Sequence, residues 1–139
     1  MSNSETLEIA IEGKKRILTM THGLKRRLAR MLETPEVAST LCLDFDLSEA
    51  IVITVLAARS PNGDPVEIQS VTAENLQDLM DSDAFSEEDF HDVVTWVQGH
   101  VIDFFLLKAK SMLERVQMVE AENPVLAEQL SKYGLNGPV

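Results

Sequence analysis

Residues 7–20 read LEIAIEGKKRILTM, a stretch that alternates as a strand does, with Leu7, Ile9 and Ile11 on one face and Glu8 and Glu12 on the other. Glu12-Gly13-Lys14 can reverse the chain, because Gly13 tolerates positive φ. Ile17, Leu18 and Met20 then make a return strand whose alternation is less regular. In the next twelve residues, THGLKRRLARML (21–32), the period changes. Thr21 can cap a helix, and Leu24, Leu28, Met31 and Leu32 fall on one stripe. Lys25, Arg26, Arg27 and Arg30 occupy the remaining arc. A hairpin of two strands is marginal in water, so this one must lie on the helices or on another subunit.

Outward from that start the pattern is helical. In TPEVASTLCL (34–43), Thr34 serves as cap and Pro35 sits at the first turn, which predicts a helix over 35–43. DLSE (46–49) has Asp46 and Glu49 at capping-box spacing, and AIVITVLAA (50–58) is apolar on every side. That predicts a central, buried helix over 47–59. RSPNGDP (59–65) reads as a loop, and Thr72 caps a short helix over 73–81. Ser86, with Asp89 three residues later, opens a long helix over 87–119. Its stripe runs Phe90, Val93, Val94, Val97, Val101, Phe104, Phe105, Met112, Val116 and Val119. Either Gly99-His100 bends that helix, or its far end serves a partner. Asn123-Pro124 should stop it, a final turn or two should reach Tyr133, and Gly134 should end the ordered part. Ile51, Val55, Val94, Val97 and Val101 are expected in one core.

The fold class expected is mainly helical (α+β): an N-terminal β-hairpin followed by a helical bundle with one long C-terminal helix. The domain organisation expected is a single domain, 1–139. It comprises a hairpin (5–20), a basic helix (21–33), an acidic helical body (34–133) and a loose tail (134–139).

Composition fits this. With 139 residues the chain can bury a core without disulfides, and with aromatics at 5% that core must come from Leu, Ile, Val, Met and Ala. A single cysteine, Cys42, excludes an internal disulfide framework and suits a reducing compartment. No basic segment followed by an apolar run opens the chain, and no long stretch is free of charge, so a soluble intracellular protein is expected. The net charge of −11 is unevenly spread: residues 1–33 carry +3 and residues 34–139 carry −14. Long-range repulsion of nucleic acid and one short cationic patch follow.

Sites for chemistry are scarce. His91 and His100 lie on different faces of one helix, and neither has a Cys or His at metal-ligand spacing. They read as ordinary polar histidines, with His100 and Asp103 placed for a local ion pair. DSDAFSEEDFHD (81–92) has acids at its first, third and last positions, yet it lacks the turn glycine and the final glutamate of a calcium loop. Cys42, in an apolar stretch beside Asp44, reads as a small core residue. No catalytic, metal or cofactor-binding residues are assigned, and an enzyme is the least favoured class. The candidate partner-binding surface is Lys25, Arg26, Arg27 and Arg30. A solvated face balancing an acidic body is the plain alternative for it. The absence of interleaved aromatics favours protein over nucleic acid as its partner.

Three stretches, LEIAIEGKKRILTMTHGLKRRL (7–28), DLSEAIVITVLAAR (46–59) and VVTWVQGHVIDFFLLKAKSML (93–113), together with the order of elements, resemble the tail assembly chaperones of long-tailed bacteriophages. The likeness covers most of residues 6–115 and is one of pattern. It implies a non-enzymatic, mainly helical protein of the host cell cytoplasm. Such a protein binds the tape measure protein, keeps it soluble and helps recruit tail tube protein. Homo-oligomerisation is expected, by contact between the basic end of one copy and the acidic body of the next. Cofactors and membrane are not expected, and nucleic acid is disfavoured. Two alternatives are a neck or tail structural protein of the virion (a connector or completion protein) and a small nucleic-acid-binding regulator.

Overall fold

The computed structural model describes residues 4–58 and 71–122. The loop expected at 59–65 lies outside the described residues, as do the stop at Asn123-Pro124, the last turns to Tyr133 and the tail 134–139. The element order is β1 (Thr6–Ile11), β2 (Lys14–Thr19), α1 (His22–Leu32), α2 (Pro35–Ser39), a 3-10 turn (Leu41–Leu43), α3 (Phe45–Ala57), α4 (Ala73–Asp81) and α5 (Glu87–Glu122). An N-terminal antiparallel hairpin followed by helices, the last of them long, is the mainly helical architecture expected. The chain divides into two compact units at Asp103/Phe104.

In the first unit, Ile11 pairs with Lys14, leaving Glu12-Gly13 as a two-residue turn. Both turn residues have positive φ, 54° and 77°, which matches the right-handed twist of the strands. The register puts Leu7 opposite Leu18 and Ile9 opposite Arg16, so the inner face carries a charge. Arg16 is only 3% exposed, and its Nη2 donates to the Leu56 carbonyl at 2.8 Å. A cation at the C-terminal end of α3 meets both an orphan carbonyl and the negative end of the helix dipole. Ile17 takes the exposed position instead, which accounts for the irregular alternation.

The hairpin lies on the helices of its own chain. Ile9, Ile11 and Leu18 are buried, and the outer edge of β1 is in use. The Ala10 amide donates to Asp89 Oδ2 at 3.0 Å, and the Glu12 amide to the Ala84 carbonyl at 2.8 Å. Next to the strand, the Ser4 carbonyl accepts from Trp96 Nε1 at 2.8 Å and from His100 Nε2 at 2.7 Å. Because a carbonyl only accepts, the His100 ring carries its proton on Nε2 in that bond.

Caps explain the helix starts. Thr21, Thr34, Thr72 and Ser86 each accept from the amide three residues on, as the sequence predicts. The start of α3 differs from expectation. Asp44, not Asp46, is the cap, accepting from the Leu47 amide at 3.0 Å, and the helix begins at Phe45. The helix expected over 35–43 also breaks, because Ser39 Oγ and Thr40 Oγ1 donate to the Pro35 and Glu36 carbonyls. Such hydroxyls offer the last turn an alternative to continued helix. Leu41 stays in the core after the break, while Cys42 and Leu43 turn outward. Cys42 is therefore an exposed thiol rather than a core residue.

Between α1 and α2 the chain reverses at Glu33, with φ 67° and ψ −47° and the Thr34 amide donating to the Leu32 carbonyl at 2.7 Å. That is a γ-turn at a non-glycine residue, a strained arrangement. The core forms around α3 as expected: Ile51, Val55, Val94, Val97 and Val101 are all buried.

In the second unit, residues 104–122 continue α5, which is unbroken at Gly99-His100. Phe104 meets Phe105 edge-on, with centroids 6.0 Å apart, and Lys108 lies 5.4 Å from the Phe104 ring centroid.

Candidate protein-docking groove

The cationic residues singled out from sequence sit on the outer face of α1. Lys25 is half-buried, and Arg26, Arg27 and Arg30 are exposed. The opposite face drives Leu24, Leu28, Ala29 and Leu32 into the core. None of the four cations forms an ion pair among the described residues, where the recorded pair is Lys15–Glu8 at 3.1 Å, an exposed one. Their electrostatic field is directed at solvent.

A second feature is a groove assembled from two stretches far apart in sequence. The 3-10 turn, the first turns of α3, the end of α4 and the first turns of α5 enclose an open groove of about 300 Å³. Cys42, Phe45, Ser48, Glu49, Met80, Glu87, Phe90, His91 and Val94 line it. Each wall is held from behind. Gln98 Nε2 donates to the Ala38 and Ser39 carbonyls at 2.9 and 2.8 Å, which ties the end of α2 to α5. Ser48 Oγ donates to the Leu41 carbonyl at 2.6 Å, so the 3-10 turn is bolted to α3. Phe85, buried between α4 and α5, packs edge-on against Phe90 with centroids 6.3 Å apart. Phe90 and Val94 are thereby presented from a rigid support.

Two large apolar side chains of the 41–45 stretch stand almost fully in solvent. Leu43 is 78% exposed and Phe45 79%. Exposed single hydrophobics are common on surfaces, but Phe45 belongs to the lining together with Met80, Phe90 and Val94, and Leu43 directly follows Cys42 of the same groove in sequence. Its rim is acidic, with Glu49 and Glu87 in the lining and the exposed carboxylates Asp44, Asp46 and Glu88 nearby in sequence. The chemistry is that of a docking surface: apolar floor, adaptable Met80, and negative border. A complementary ligand would bring apolar anchors flanked by Lys or Arg.

No group of three or more His, Cys, Asp or Glu residues is arranged to hold a metal among the described residues. No described helix is long and apolar enough to cross a membrane. In sequence the groove leaves one sign, the stretch LCLDF (41–45), where three large apolar residues crowd a helix junction that can bury only Leu41. No protein-family model, curated protein or solved structure matches this chain.

Proposed function

We propose that this chain is a non-enzymatic tail assembly chaperone of a long-tailed bacteriophage. It acts in the host cytoplasm, holds an amphipathic segment of the tape measure protein and helps recruit tail tube protein. The resemblance in the sequence motivates the family. The observation that carries the binding role is the groove with Phe45 exposed at its mouth. An apolar cleft of this volume takes side chains from one face of a helix, and a long tape measure helix offers such faces repeatedly. The acidic rim selects helices whose apolar stripe is bordered by cations, and it keeps the empty chaperone soluble.

The test is co-expression of the tagged chain with the tape measure protein of the same phage. Co-purification of the wild type, and its loss in Phe45→Asp at unchanged helix content, is the expected outcome. Failure of the wild type to retain the tape measure protein sinks the reading. So does finding the chain in purified virions in ring-like copy number, which a neck protein would give.

A further inference from the structure

Helix α5 within the second unit carries a pattern that the groove does not use. Phe105, Ala109, Met112, Val116 and Val119 are spaced 4, 3, 4 and 3 residues apart, so they fall on one seam of a heptad. Much of that seam lies open: Met112 is 65% exposed, Val119 37%, and Ala109 is exposed as well, while Phe105 and Val116 are half-buried. The two flanks differ in chemistry. On one side lie Leu106 and Leu113, both exposed, and on the other Lys108 and Arg115.

From this we infer that residues 105–119 form a parallel, in-register coiled coil with the same segment of a second copy of the chain. Three physical points commit the seam to that occupant. A 4-3 spacing is self-complementary, since the knobs of one helix fit the holes of an identical one. The segment continues a helix already ordered by its packing at Val93, Val97 and Val101, so the nucleation cost that defeats short isolated coils has been met. Charge then sets direction. Antiparallel pairing places the Lys108/Arg115 flank against the same flank of the other copy, which repels. Parallel pairing places that flank over the partner's Leu106/Leu113 flank, where the aliphatic stems of Lys and Arg cover leucine and their charged ends stay in water.

The experiment uses the full chain in sedimentation equilibrium over a wide concentration range. The expected result is a reversible monomer–dimer equilibrium. Met112→Glu puts one charge per copy into the same layer and should weaken the dimer about a hundredfold. Leu107→Glu is the control: Leu107 is 67% exposed, as open as Met112, but lies on the far side of the helix from the seam. It should leave the constant within about twofold. In a Cys42→Ser background, Val119→Cys should cross-link to a disulfide dimer on oxidation, which a parallel pairing in register allows and an antiparallel one does not, since that would set position 119 against position 105. A wild type that stays monomeric overturns the inference. So does equal loss in the Met112 and Leu107 variants, which would mean unspecific stickiness. A dimer that Val119→Cys cannot cross-link overturns the parallel arrangement.

Discussion

Asp89 Oδ2 accepts the Ala10 amide at 3.0 Å, so a carboxylate in the first turn of the longest helix closes the outer edge of the first strand. The sequence spacing casts Asp89 as a box partner for Ser86, a role that would keep it local. In the structure Ser86 caps the Asp89 amide, and the Asp89 side chain is spent on the hairpin. An acid there also faces the positive end of the helix dipole. Asp89→Ala should cost about 1–2 kcal/mol in urea unfolding, with Asp89→Asn closer to wild type because it keeps an acceptor. Equal stability of all three proteins would show that the bond carries nothing.

Arg16 presents a harder case, a guanidinium on the core side of a two-stranded sheet. Arg16→Leu removes the donor to the Leu56 carbonyl and should destabilise by about 2 kcal/mol, despite the apolar setting. A more stable Arg16→Leu protein would reassign the residue from support to burden, as happens for some buried ions.

Glu33 offers the opposite sign. Its φ of 67° is cheap for glycine and costly for glutamate. Glu33→Gly should therefore raise stability by about 1 kcal/mol, read as a higher denaturation midpoint at unchanged slope.

Val97 is 0% exposed, in the stripe that α5 sets against the core. Val97→Asp strands a charge there and should cost about 4 kcal/mol or more, enough to abolish a cooperative melt. Retention of a wild-type melting temperature would contradict the burial.

On α1, reversing Lys25, Arg26, Arg27 and Arg30 to Glu should leave the melt within about 1 kcal/mol, since none of these side chains forms an ion pair among the described residues. The same variant should lose any salt-sensitive assembly larger than the dimer, as seen by light scattering. Tight binding of duplex DNA by the wild type at physiological salt would instead support a regulator.

Much of this fold is legible in the chain. The bounds of α1 and α4 follow from Thr21 and Thr72 standing directly before an apolar period, and the hairpin follows from alternation meeting Glu12-Gly13. What is hidden has a common physical cause. Arg16 looks like surface charge until the carbonyl of Leu56, forty residues away, is placed beside it. The end of α2 depends on where two hydroxyls donate, which propensity does not encode. The groove draws on two stretches far apart in sequence, 42–49 and 80–94, and only LCLDF betrays it.

Trp96, the chain's single tryptophan, has its indole closed off between the Ser4 carbonyl and the His100 ring, with ring centroids 5.5 Å apart. The chain thus has a built-in optical gauge. Peeling the N-terminal strand away from α5 uncovers the indole and reddens its emission, whereas far-ultraviolet ellipticity reports mainly the helices. If the first unit opens as one cooperative body, the two signals superimpose along a denaturant titration. A fluorescence change that runs ahead of the ellipticity would identify the hairpin as the part that leaves first, while the helices behind it remain folded.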